Sequence, residues 1–227
     1  IISGKAAPGY HLAKLIIKLI SDVGKAINND PVTLNKLRLV FIPNYDVTTA
    51  GDIIPAADLS QQISLAGTEA SGTGNMKLGL NGALTLGTLD GANIEILEQV
   101  GSENIFIFGL RAPEADALRG GLYKPREYMK NSSSLSLAIE MIEDGFFSPE
   151  QPDRHYAIVD ALPRTDPFLV LADYQSYIDS QKLVEDSRRE PSIWTQKAIL
   201  NVASMGYFSS DRAIREYAKK VWKIPVN

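Results

Sequence analysis

The 227-residue sequence contains no cysteine and only two histidines. Without cysteine the chain has no disulfides and no cysteine-ligated metal site, and we predict no metal site of any kind. The formal net charge is −4 and no long basic run is present, which argues against a nucleic-acid-binding surface. No uncharged apolar run is long enough to cross a membrane, and we expect no signal peptide.

The composition is that of an ordinary globular protein, with 44% hydrophobic and 22% charged residues. A chain of this length forms one large domain or two small ones. It begins with Ile1-Ile2 and without methionine. These two residues are typical of the end of a strand, so we expect the chain to be part of a longer protein.

Alternating helical and apolar patterns predict an α/β fold with a doubly wound parallel sheet. Apolar residues recur at helical spacing from Tyr10 to Asn29, which predicts an amphipathic helix. Two helical stretches are predicted between Val47 and Ser64, on either side of Pro55. From Ala112 onward the pattern changes to a run of helices separated by proline and serine. The predicted buried strands are Leu37–Ile42, Ala83–Thr88 and Asn104–Phe108.

The stretch from Gly67 to Asn93 holds seven of the 17 glycines and one basic residue, Lys77. Glycines at this density allow positive φ angles and a close approach of the backbone to a ligand. A loop over residues 69–75 is predicted to lead into a short helix that ends at Asn81-Gly82. A glycine loop before a helix N-terminus favours phosphate binding.

The sequence lacks a required residue of each of two common phosphate-binding motifs. The nucleotide P-loop needs Lys and Ser/Thr after its second glycine, but Thr73 and Gly74 follow Gly72. The dinucleotide fingerprint needs a third small residue at the position that Lys77 occupies.

A third interpretation is pyridoxal phosphate, which needs a lysine amine and a separate phosphate-binding site. Apolar Met76 and Leu78 would then shield a neutral amine. Spacing alone favours a glycine-rich turn with a solvated lysine over the cofactor site.

A longer stretch of sequence similarity favours the pyridoxal phosphate interpretation over the solvated lysine. The thirteen residues from Glu69 to Asn81, EASGTGNMKLGLN, resemble the pyridoxal-phosphate signature of the glycogen, starch and maltodextrin phosphorylases. Further segments resemble the C-terminal domain of these enzymes, of the bacterial type, in the same order along the chain. They are Gly4–Tyr10, Ile54–Leu59, Gly87–Asn93 and Phe208–Arg212.

The resemblance implies a fold, an activity and partners. Residues 1–227 would form the pyridoxal-phosphate-binding C-terminal domain of a two-domain, Rossmann-like glycosyltransferase fold. The activity would be phosphorolysis of α-1,4-glucan by inorganic phosphate, with the cofactor's phosphate as the acid–base group. The resemblance also implies a cytoplasmic, allosterically regulated homodimer with a further N-terminal domain. We expect this stretch to be inactive without that domain.

Residue roles are implied by position in the signature. Lys77 would bind the cofactor as an aldimine, Gly72, Thr73 and Gly74 would bind its phosphate, and Tyr45 would pack beside it. Glu69, Ala70 and Ser71 would bind the hydroxyl groups of the reacting glucose.

Two other functions remain open. The chain is alternatively a non-catalytic module that binds cofactor or glucan, or a nucleotide-sugar glycosyltransferase of related architecture, which would not need Lys77. Outside the glycine-rich stretch no catalytic constellation is evident, and His155 has no predicted partner.

Overall fold

The structure is a computed structural model that describes residues 1–225, apart from the side chain of Leu122. It divides into two compact units. The first unit comprises Ile1–Gly51 and Tyr123–Ala172, and the second comprises Asp52–Leu122 and Asp173–Asn227.

Strands and helices alternate through the first half of the chain, and helices fill the second half. The strands are β1 (Ile2–Gly4), β2 (Phe41–Pro43), β3 (Leu59–Gln62), β4 (Leu84–Gly87) and β5 (Phe106–Ile107). The helices are α1 (His11–Asn29), α2 (Val47–Ile53), α3 (Gly74–Leu80), α4 (Asn93–Val100), α5 (Ala112–Ala117), α6 (Pro125–Lys130), α7 (Ser133–Glu143), α8 (Tyr156–Ala161), α9 (Val170–Arg189), α10 (Pro191–Ser204) and α11 (Ser210–Glu216).

In the first unit, β1 and β2 pair in parallel, with Ile2 opposite Phe41. The crossover between them is α1, as parallel pairing requires. The end of α1 is tied to the chain before β2 by one side chain. The Asn28 amide donates to the carbonyl of Leu39 at 2.8 Å and accepts from the Leu39 N–H at 3.0 Å.

In the second unit, β3, β4 and β5 form a parallel sheet in chain order. The crossovers are α3 and α4, so this unit contains two successive βαβ elements. The central strand β4 is buried along its whole length, with Leu84 and Leu86 at 0% exposure. Both leucines pack in a core cluster with Phe108, Val184 and Trp194.

These elements confirm a mixed α/β fold with parallel strands and a helical C-terminal part. Two local predictions are wrong. The expected buried strand Leu37–Ile42 begins only at Phe41, and Leu37 and Val40 are exposed. Residues 59–62, expected in a helical turn, form β3. The register explains this, since Leu59 and Ser60 pair with Leu84 and Thr85 on the buried strand. The described strands form two sheets, one in each unit. A single doubly wound sheet, and the assignment of 1–227 to one C-terminal domain, stay predictions.

Candidate functional site

The glycine-rich stretch lies at the carboxyl edge of the three-stranded sheet. Residues 63–73 link β3 to α3, and residues 88–92 link β4 to α4. Because β3 and β4 are parallel neighbours, both loops leave the sheet at the same edge. Ligand sites of open α/β sheets occur at this edge.

The buried carboxylate of Asp90 holds the first loop. Its Oδ1 accepts the peptide N–H of Gly67 at 2.8 Å, and its Oδ2 accepts that of Glu69 at 2.9 Å. Asp90 is only 3% exposed, so an unpartnered charge here would be costly. The two N–H donors stabilise the carboxylate and fix the backbone of the loop.

A close backbone contact holds the next part of the same loop. The N–H of Ala92 donates to the carbonyl of Ser71 at 2.7 Å. Gly91 lies against that carbonyl with φ of +50°, and a Cβ at this position would stand 2.5 Å from the Ser71 oxygen. Only glycine therefore fits at position 91.

A buried chain of amides holds the start of α3. The Asn75 side chain donates to Asn93 Oδ1 at 2.9 Å and accepts the Met76 N–H at 2.9 Å. The Asn93 amide donates in turn to the carbonyl of Thr88 at 3.1 Å. Both asparagines are 2–3% exposed. This chain fixes α3 relative to the loop that follows β4.

The corner formed by Gly72, Thr73 and Gly74 is at least partly exposed, and there is open space beside Gly74. Gly72 has φ of +76°, and a Cβ at Gly74 would meet no atom within 4 Å. Thr73 is the exposed N-cap residue, and its side chain makes no capping hydrogen bond. The first N–H groups of a helix have no intrahelical acceptor. These features fit a phosphate group, which needs N–H and hydroxyl donors and close access to the backbone.

Lys77 lies one turn after this corner. Its N–H donates to the Thr73 carbonyl at 3.2 Å, so both residues belong to the first turns of α3. The side chain of Lys77 is exposed, whereas Met76 and Leu78 are half-buried. The expected shielding of Lys77 by these two neighbours is therefore wrong. The amine is open to an incoming aldehyde.

The predicted glucose-binding residues are also exposed. Glu69, Ala70 and Ser71 all present accessible side chains beside the corner. The Ser71 hydroxyl donates to the carbonyl of Gly72 at 3.1 Å. The structure thus brings seven of the eight predicted site residues into one loop and one helix of the second unit. The eighth, Tyr45, follows β2 in the first unit and is 37% exposed.

The supporting residues Asp90, Asn75 and Asn93 were not predicted as functional from the sequence. The available signal was the segment Gly87–Asn93, which resembles the phosphorylases but was assigned only a turn and a helix cap. A buried polar residue directly after a buried strand, at the edge where ligands bind, is the pattern that would have identified Asp90.

The first unit holds a separate buried charge cluster around Asp22, which is 2% exposed. Its carboxylate accepts from Arg154 Nη1 at 3.0 Å and from Lys18, and it lies 3.0 Å from His155 Nε2. His155 is completely buried, so the expectation that it has no partner is wrong. Burial raises the pKa of Asp22, but hydrogen bonds from Lys18, Arg154 and His155 outweigh burial and hold that pKa below its usual value.

Residues 1–225 contain neither a metal-binding cluster nor a membrane-spanning helix. No three His, Asp or Glu side chains in this range are grouped so that they would hold a metal ion. Within the same range, every helix is too short or too polar to cross a membrane.

Comparison with known proteins extends the match beyond the glycine-rich stretch. A model of the family described as carbohydrate phosphorylase matches residues 1–224. The chain is 54% identical to human brain-form glycogen phosphorylase over 223 residues and 53% identical to the bovine liver form over 224 residues. It is 52% identical to a glycogen phosphorylase of Synechocystis over 224 residues.

These alignments cover 98–99% of this chain but 26% of each relative, so the chain spans about a quarter of the length of the relatives it matches. The family model and the aligned relatives both extend over almost every residue of the chain. The chain therefore belongs to the carbohydrate phosphorylase family.

Proposed function

We propose that this chain forms the cofactor-binding part of an α-glucan phosphorylase, which converts α-1,4-glucan and inorganic phosphate into glucose 1-phosphate and a shortened glucan. The observation that carries the proposal is the match over nearly the whole chain to relatives named glycogen phosphorylase. The open glycine corner beside an exposed lysine supports it. The remaining three quarters of the family's length would supply the other wall of the site and further phosphate ligands.

Pyridoxal 5'-phosphate fits the corner. Lys77 would hold the cofactor covalently through its exposed amine, and Tyr45 would pack against it. Gly72, Thr73 and Gly74 would bind its phosphate through peptide N–H groups and the threonine hydroxyl. When bound, the cofactor supplies a phosphate monoester whose second pKa of about 6 suits proton exchange with the substrate phosphate at neutral pH.

The adjoining peptide would bind the sugar. Glu69 offers a carboxylate, Ala70 a peptide group and Ser71 a hydroxyl to the reacting glucose. All three lie on the loop that Asp90 and Ala92 hold, so their positions are fixed before the substrate arrives. Such preorganisation avoids the cost of ordering the loop during the reaction.

We also propose the wider context that the family implies. The complete protein would act in the cytoplasm as an allosterically regulated homodimer, with an N-terminal domain opposite this one. Without that second wall an isolated chain would leave the sugar open to water and would not carry out phosphorolysis.

Labelling tests the assignment of Lys77. The full-length polypeptide that contains this sequence is loaded with pyridoxal phosphate, reduced with borohydride, digested and analysed by mass spectrometry. We expect one pyridoxyl group on the peptide carrying Lys77 and production of glucose 1-phosphate from maltoheptaose and phosphate before reduction. Lys77→Arg should lose both, whereas Lys124→Arg, on an exposed surface, should lose neither. Full labelling on a different lysine contradicts the assignment.

A further inference from the structure

The two ligand-binding pieces of the glycine-rich stretch are supported by different side chains. Residues 67–71 are held by Asp90, through the N–H groups of Gly67 and Glu69, and by the Ala92 N–H. The corner at residues 72–77 is held by Asn93 through Asn75. Within residues 1–225 the Asp90 carboxylate makes no hydrogen bond to the side chains of the asparagine pair, and the Asn93 peptide N–H donates to the Asp90 backbone carbonyl at 3.1 Å.

We propose that Asp90 is a positioning residue for the sugar, whereas Asn93 is a positioning residue for the cofactor phosphate. This inference rests on the proposed function, because it takes residues 69–71 as the sugar-binding peptide and residues 72–74 as the phosphate-binding corner. It adds that the two ligands are positioned independently, although their binding residues are adjacent in sequence.

The chemistry of Asp90 suits this role. A carboxylate accepts two N–H groups at once, one on each oxygen, and so fixes two peptide planes of the loop. An asparagine at this position keeps one acceptor and turns an NH₂ group toward the second N–H donor. The peptide between residues 67 and 69 then loses one of its two anchors, while the Asn75–Asn93 pair is untouched.

Gly91 provides an independent route to the same loop. A Cβ at this position would meet the Ser71 carbonyl at 2.5 Å and break its hydrogen bond with Ala92. Gly91→Ala therefore displaces the sugar-binding peptide without changing any charge. If the inference is right, Gly91→Ala and Asp90→Asn give the same kinetic phenotype.

The experiment compares four variants of the full-length holoenzyme: Asp90→Asn, Gly91→Ala, Asn93→Ala and the control Glu98→Gln. Glu98 is exposed on the same helix, α4. Three kinds of measurement are made. Absorbance gives the dissociation constant of pyridoxal phosphate, and glucan synthesis gives kcat and KM for glucose 1-phosphate. Hydrogen exchange is followed in peptides spanning 67–71 and 74–80.

Asp90→Asn and Gly91→Ala should lower kcat/KM for glucose 1-phosphate by about 100-fold, the scale of a small misplacement of a binding group. Their affinity for pyridoxal phosphate should equal that of Glu98→Gln. Asn93→Ala should weaken cofactor binding by about 10-fold, because it leaves the Asn75 amide unpaired. Saturating cofactor should then restore its kcat/KM for glucose 1-phosphate.

Parallel loss of cofactor and sugar affinity in Asp90→Asn and Asn93→Ala would overturn the inference, as would an unchanged kcat/KM in Asp90→Asn. Failure of the proposed function looks different, since the wild-type protein itself would then form no glucose 1-phosphate. Hydrogen exchange decides the inference in that case. If hydrogen exchange in Asp90→Asn is faster only at residues 67–71, the loop and the corner are held independently. Equally faster exchange at residues 74–80 refutes the inference.

Discussion

Asp22 in the first unit and Asp90 in the second are both buried carboxylates, but their partners differ in kind. Asp22 is surrounded by side chains that carry or can carry positive charge, from Lys18, Arg154 and His155. Asp90 accepts two peptide N–H groups, and no Lys, Arg or His within residues 1–225 pairs with it.

Asp22 therefore joins distant parts of the chain, whereas Asp90 fixes the conformation of one loop. The partners Arg154 and His155 lie 132 and 133 positions from Asp22, so this cluster fixes α1 against a distant segment. The N–H donors to Asp90 lie 21 and 23 positions away, on a single loop. Asp90 uses only backbone groups and so engages none of the side chains of that loop.

The comparison predicts a large stability loss when Asp22 is neutralised. Asp22→Asn leaves the buried His155 and the half-buried Arg154 without their carboxylate, and should lower the free energy of unfolding by about 3–5 kcal/mol. The measurement is equilibrium unfolding in urea. The matched control is Asp160→Asn in the same unit, which removes the pair with Arg164 one helical turn away. This partly exposed pair should contribute only about 0.3–0.5 kcal/mol.

A loss in Asp22→Asn no larger than in Asp160→Asn would show that the buried cluster does not stabilise the first unit. The distinction between the two carboxylates would then fail.

The sequence predicted the loop and short helix of the glycine-rich stretch well because that information is local. A loop, a short helix, a lysine and a stop signal all occur within residues 69–82, and the structure places α3 within that range. The cluster around Asp22 was not predicted, because His155 and Asp22 are far apart in sequence and no local pattern connects them. Their meeting depends on how α1 packs against the segment before α8.

Strand β3 was missed for a related reason. Its residues, Leu-Ser-Gln-Gln, include no β-branched or aromatic side chain, so local propensity does not favour a strand. Pairing with the buried strand β4 determines its conformation. The role of Asp90 was also invisible locally, since Asp-Gly in a turn is common and burial of the carboxylate appears only in the folded unit.

A smaller effect tests the separate roles of the Thr73 and Ser71 hydroxyl groups. The Thr73 hydroxyl is exposed at the phosphate corner, whereas the Ser71 hydroxyl already donates to the Gly72 carbonyl. Thr73→Val should weaken pyridoxal phosphate binding by about 1.5–3 kcal/mol, the range for a hydrogen bond to a charged group. Ser71→Ala should leave cofactor binding unchanged and weaken glucose 1-phosphate binding instead. Equal cofactor dissociation constants for the two variants in the full-length protein would contradict this division.

The smallest expected effect is a change in acid sensitivity. The partners of Asp22 hold its folded-state pKa below the unfolded value of about 3.9. A carboxyl with a depressed folded pKa contributes stability that is present above the unfolded pKa and is lost as the pH falls through the folded pKa. The wild-type protein should therefore lose this contribution below about pH 4, where a protonated Asp22 resembles asparagine. The effect is only part of the full loss in Asp22→Asn, because a neutral carboxyl still accepts hydrogen bonds.

Urea unfolding from pH 7 to pH 3 should show the stability curves of wild type and Asp22→Asn converging at low pH. The free energy of unfolding of Asp160→Asn should change with pH as that of the wild type does. Curves for wild type and Asp22→Asn that stay parallel across this range would mean that the cluster does not titrate with folding.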